Sequence, residues 1–199
     1  MGRIADEEGD DPGGVQGGRT GGGGDGEGSV RITFSLGPEL GGMLRKEADA
    51  SGVGVSTFLR QVLEHYFSWT ATAAKAGFIP VPKQVLAMAL ERLTEDDVSA
   101  IAEEVGRSYA KEIQLLMRGR FTLEGFLENF ELWAREGGMA YRKRMENGIY
   151  EFALQHSLGY KWSLYLAKLC EVVFYESARK TAKFDLASNG FTFKVSVKK

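Results

Sequence analysis

Apolar and polar residues alternate without a break through Val30, Arg31, Ile32, Thr33, Phe34, Ser35 and Leu36. A period of two puts alternate side chains on opposite faces of an extended chain, so the run predicts a strand with one buried face. Gly37 ends it, and Pro38 suits the first turn of a helix. From there the spacing changes to three and four. Leu40, Met43, Leu44 and Ala48 fall on one side of a helix over residues 38–50, which Ser51-Gly52-Val53-Gly54 breaks. A second helix starts at Val55 and lines up Phe58, Leu59, Val62, Leu63, Tyr66 and Phe67. It is expected to fray through the Ala- and Thr-rich stretch 70–76 and to stop at Gly77. Ile79-Pro80-Val81-Pro82 reads as a stiff extended connector, and the domain boundary is placed there.

The rear of the chain opens on helical spacing over residues 83–93. Thr94 with Asp97 is a capping signature for a second helix, running to 117 with a break expected at Gly106. Thr122 caps a third helix, over 122–137, that carries Phe126, Phe130 and Trp133. Asn147-Gly148, the strongest turn pair for a two-residue hairpin, joins strands expected at 139–146 and 149–156. A helix over 161–179 follows, and a second hairpin, 183–187 with 191–197, turns at Ser188-Asn189-Gly190. The order predicts an α+β fold in which helices are followed by a ββαββ antiparallel sheet of four strands. The expected organisation is a tail (1–29), a small strand-helix-helix module (30–69), a linker (70–82) and an α+β effector or oligomerisation domain (83–199).

Composition changes this picture in three places. The tail is mostly Gly, Asp and Glu and cannot bury enough apolar surface to offset its chain entropy, so it is expected to be disordered. The net charge of −2 is unevenly spread: residues 30–69 carry four charges of each sign, and the excess acid lies in the tail. A nucleic-acid binder usually shows a basic excess, so charge alone gives no support for DNA binding. The single cysteine, Cys170, excludes an intrachain disulfide and a cysteine-rich zinc site. No apolar run is long enough for a membrane span, and the expected location is cytoplasmic.

A forty-residue strand-helix-helix unit is too small to fold alone, and its strand has no second strand within the unit. A two-fold dimer answers both needs: two strands pair antiparallel, and four helices cover their apolar face. Ile32, Phe34, Leu36, Leu44, Phe58, Leu59 and Val62 would then form the dimer core. Arg31, Thr33 and Ser35 would be displayed twice on the opposite face, on a ribbon that fits the B-DNA major groove. The stretches Arg31-Ile32-Thr33-Phe34-Ser35-Leu36, Gly52-Val53-Gly54-Val55-Ser56 and Leu63-Glu64-His65-Tyr66 resemble those of the ribbon-helix-helix superfamily, the MetJ/Arc/CopG proteins. The resemblance implies base reading by Arg31, Thr33 and Ser35, and a phosphate held by the amides of Gly54, Val55 and Ser56 at a helix start. It also implies double-stranded DNA as partner, a homodimer or higher oligomer, and a transcriptional regulator, most simply a repressor. One departure is Gly54, a weaker cap than the hydroxyl residue often found there.

The rear domain shows no glycine-rich phosphate loop, metal-ligand spacing or catalytic triad, so no enzyme, cofactor or metal is expected. His156 is read as structural or capping, and Cys170 as a core residue. The string Leu158-Gly159-Tyr160-Lys161-Trp162-Ser163 either lines a ligand pocket or packs the strand-to-helix hinge, with packing the preferred reading. Arg142, Lys143 and Arg144 are consecutive on a strand and point to both faces. The rear domain is the candidate seat of a small-molecule or protein effector. An alternative of a different class is an antitoxin-like module that grips a protein partner through this domain.

Overall fold

A computed structural model describes residues 32–198. The expected disordered tail, and Val30 and Arg31 of the expected strand, lie outside the described residues. Residues 32–37 carry no regular element, so among the described residues the expected strand does not form. A strand exists only through its ladder, and among the described residues this segment has no partner. By backbone contacts the chain divides between Gly42 and Met43, inside the first helix.

Helix α1 spans Pro38–Ala50, with Pro38 in its first turn. Gly52 (φ 67°) then takes a left-handed conformation that favours glycine. Helix α2 spans Val55–His65 and passes into a π-helical turn, Tyr66–Thr70, and a single α-turn α3, Ala71–Ala73. The expected fraying is thus a widened turn followed by a stop at Gly77 (φ 82°).

Helices α4 (Lys83–Arg92), α5 (Glu95–Arg107), α6 (Tyr109–Arg118) and α7 (Leu123–Glu136) follow. Thr94 and Asp97 form a reciprocal capping box, and the Thr122 hydroxyl accepts from the Gly125 amide at 3.1 Å. The break expected at Gly106 lies at Ser108 instead, so one expected helix is two. Gly106 matters for packing, because a Cβ there would lie 2.9 Å from Val172 Cβ. Its missing side chain lets α5 pack tightly on α8 (Tyr160–Ala178).

The sheet is antiparallel with spatial order β1-β2-β4-β3, from β1 (Ala140–Glu146), β2 (Ile149–Gln155), β3 (Ala182–Ala187) and β4 (Gly190–Ser196). The chain is therefore α+β. Asn147 (φ 52°) and Gly148 (φ 77°) both have the positive φ that a two-residue hairpin turn requires. Register places Lys143, Phe152, Phe193 and Phe184 in one row across the sheet. Phe152 and Phe193 are fully buried in this row, and Phe130 of α7 packs edge-on to both. The next row, Arg144, Glu151, Lys194 and Lys183, points the other way by the pleat. Arg142, Lys143 and Arg144 thus alternate sides, and Lys143 reaches Glu131 of α7 at 2.7 Å. Among the described residues no helix is long and apolar enough to cross a membrane.

Candidate nucleic-acid interface

Two segments carry the residues expected to meet DNA. Thr33 and Ser35 are exposed on the segment before α1, while Arg31 lies outside the described residues. Ile32 and Phe34, which alternate with them, are also open, at 77% and 53% of their surface. Leu36 and Val62 are exposed, and Leu44, Phe58 and Leu59 are half-buried. Every residue expected to form the dimer core therefore keeps uncovered apolar surface in the single chain.

Gly54, Val55 and Ser56 are exposed at the start of α2. Gly54 is extended (φ −69°, ψ 151°) and makes no side-chain capping bond. The first donor to its carbonyl is the Phe58 amide at 2.9 Å, so the Val55 and Ser56 amides ahead of it have no intrahelical acceptor. Glycine leaves this helix end uncovered where a hydroxyl residue would occupy one amide. The first turn of α2 also lacks an acidic side chain, so nothing there opposes an anion. At the other end of α2, His65 Nδ1 meets Glu136 Oε2 at 2.8 Å.

The rear domain holds one polar cluster that the chain order concealed. His156 is buried at the end of β2, and its Nδ1 accepts from the Leu158 amide at 3.1 Å. Nε2 therefore carries the proton and donates to Ser163 Oγ, 2.8 Å away. The Ser163 hydroxyl in turn donates towards the carbonyls of Ala187 and Gly190, at 2.7 and 2.9 Å. Burial first, and then the charge of Lys83, lowers the His156 pKa, in keeping with a neutral ring. A histidine beside a serine suggests nucleophile and base, but the hydrogen bonds run the wrong way. The serine proton is committed to carbonyls, and the ring nitrogen facing the serine is a donor. The cluster instead ties the start of α8 to the β3–β4 turn, where Asn189 Oδ1 also accepts from the Gly159 amide at 3.2 Å.

Cys170 is fully buried, and burial pushes its thiol well above the ordinary range. Trp162 is half-buried and stacks on Tyr165 at 4.9 Å between ring centroids. Its packing role is therefore real, yet it also faces a cavity, together with Gln114 and Asn129. Sequence reasoning passed over those two amides. The available signal was position: Gln114 lies one turn from Ala110 and Asn129 one turn from Phe126, on the apolar faces of their helices. Among the described residues no group of His, Cys, Asp or Glu side chains is arranged to hold a metal ion. Compared with protein-family models, curated proteins and solved structures, the chain matches none.

Proposed function

We propose that the chain is a sequence-specific DNA-binding transcriptional regulator, acting in the cytoplasm as a homodimer through a ribbon-helix-helix module at its front. The observation that carries this reading is the pairing of strict alternation with exposure. Ile32, Phe34 and Leu36 are spaced as one face of a strand, and all three lie open in the single chain. A second copy would supply the missing strand and the cover, turning Arg31, Thr33 and Ser35 outward as a two-stranded ribbon. Arginine donates two bonds to guanine O6 and N7, whereas the two hydroxyl residues discriminate less. The free amides at the start of α2 would hold a phosphate without a cationic side chain, which accounts for binding by a module of zero net charge.

Footprinting on the promoter of the chain's own reading frame should show a protected, two-fold symmetric site. Arg31→Ala should weaken retention of that site by about 1–3 kcal/mol per lost guanine contact while leaving the dimer mass unchanged. Unaltered operator binding by Arg31→Ala would remove Arg31 from the readout. No protected site on any genomic fragment would favour the protein-partner reading instead.

A further inference from the structure

A cavity of about 330 Å³ lies between α5, α6, α7 and α8, with Trp69 and Phe78 forming one of its walls. Those two rings pack at 5.1 Å between centroids, and Trp133 and Trp162 face each other at 6.2 Å. All of its lining side chains are uncharged. A charged ligand would therefore enter without a counter-charge, at a large desolvation cost.

Three polar side chains interrupt this aromatic lining. Gln114 is 1% exposed and Asn129 is 8% exposed, and Trp162 contributes its indole edge. Among the described residues, neither amide atom of Gln114 has a hydrogen-bond partner, nor do Asn129 Nδ2 and Trp162 Nε1. Arg118 Nε donates to Asn129 Oδ1 at 2.8 Å, which fixes that amide and leaves its NH₂ group free. Buried polar groups are nearly always paired, so several unmet groups lining one cavity mark a site with something to receive. The unmet set is three donors and one acceptor.

We propose that this cavity binds a neutral, flat, ring-containing small molecule of the lactam or carboxamide class. Its rings lie against the tryptophans. Its donor–acceptor edge pairs with the Gln114 amide, and its carbonyl oxygen accepts from Asn129 Nδ2 or Trp162 Nε1. The amides set specificity and the aromatic walls supply apolar burial. The cavity's unmet polar groups all belong to the rear domain, with Trp69 and Phe78 adding a wall from the end of the front helices and the connector. The inference stands whether or not the front module reads DNA.

The chain has three tryptophans, and all of them line the cavity, so its intrinsic emission reports occupancy directly. The test titrates the full-length protein with 2-quinolone, a neutral bicyclic lactam, and with naphthalene, which has the rings but no hydrogen-bonding edge. Binding is read by tryptophan emission and by equilibrium dialysis. Saturable 2-quinolone binding about tenfold tighter than naphthalene is expected, the worth of one well-made hydrogen bond. Gln114→Leu should remove most of that preference while sparing naphthalene. Trp162→Phe, which keeps an aromatic ring in the wall but loses the N–H and part of the indole's area, should reduce the preference for 2-quinolone over naphthalene and guards against a folding defect in the first variant. Equal binding of the two probes, absence of saturable binding, or a preference that survives both variants overturns the proposal. A 2-quinolone affinity that weakens as protein concentration rises also overturns it, by marking a second copy in the cavity.

Discussion

Phe193 is wholly buried, with Tyr150, Phe130, Phe152, Phe174 and Phe191 around its ring. Phe34, at the same kind of alternating position, leaves 53% of its surface open. The two phenylalanines differ in what the rest of the chain supplies. β4 finds β2 and β3 on either side of it and helices over its apolar face. The segment holding Phe34 has the alternation of a strand and, among the described residues, no strand beside it. Alternation therefore reports which side chains need covering, and leaves open whether the cover lies in the same molecule.

Removing the two phenylalanines one at a time, with association and stability measured separately, distinguishes the two regions. Phe34→Ala should weaken dimerisation by about 1.5–3 kcal/mol, since 53% of its surface remains to be covered, full burial of a phenylalanine contributes about 1.5–3 kcal/mol, and each dimer loses two. Sedimentation across a concentration series would show it, with the unfolding midpoint of the rear domain unmoved. Dimer affinity equal to the parent's would mean that the front segment is not the interface. Phe193→Ala should do the reverse, costing about 3–5 kcal/mol of rear-domain stability in a urea titration.

A smaller effect separates the regions by pH. Burial and Lys83 hold His156 below its ordinary value of 6.5 in the folded chain. On acidification the unfolded chain takes up that proton first. The His156 contribution is therefore complete above about pH 6.5 and is lost progressively as pH falls from there towards the lowered folded value. His156→Gln should flatten the stability profile between neutral pH and pH 5, measured by urea titration at each pH. An unchanged slope would show that the ring is not held neutral.

Much of the fold was legible because its signals are local. Pro38 opens a helix, Thr94 and Asp97 close a capping box, and Asn147-Gly148 makes the one turn whose two positive φ values suit that pair. Gly106 was legible as an exception and misread as a break. A glycine in a helix looks the same whether the chain bends there or another helix approaches, and only Val172 on α8 distinguishes the two. The union of His156 with Ser163 depends on how β2 hands over to α8 above the β3–β4 turn, which residue spacing does not encode.

Periods, caps and turns follow from the order of residues, because each depends on neighbours a few positions apart. That order also determined that the front segment has an apolar face to hide. Tertiary structure alone decided that the rear domain closes its own core, that Gly106 is a contact point, and that Gln114, Asn129 and Trp162 face a single cavity. Those outcomes depend on residues brought together from distant parts of the chain, and a one-dimensional pattern carries no distance between them.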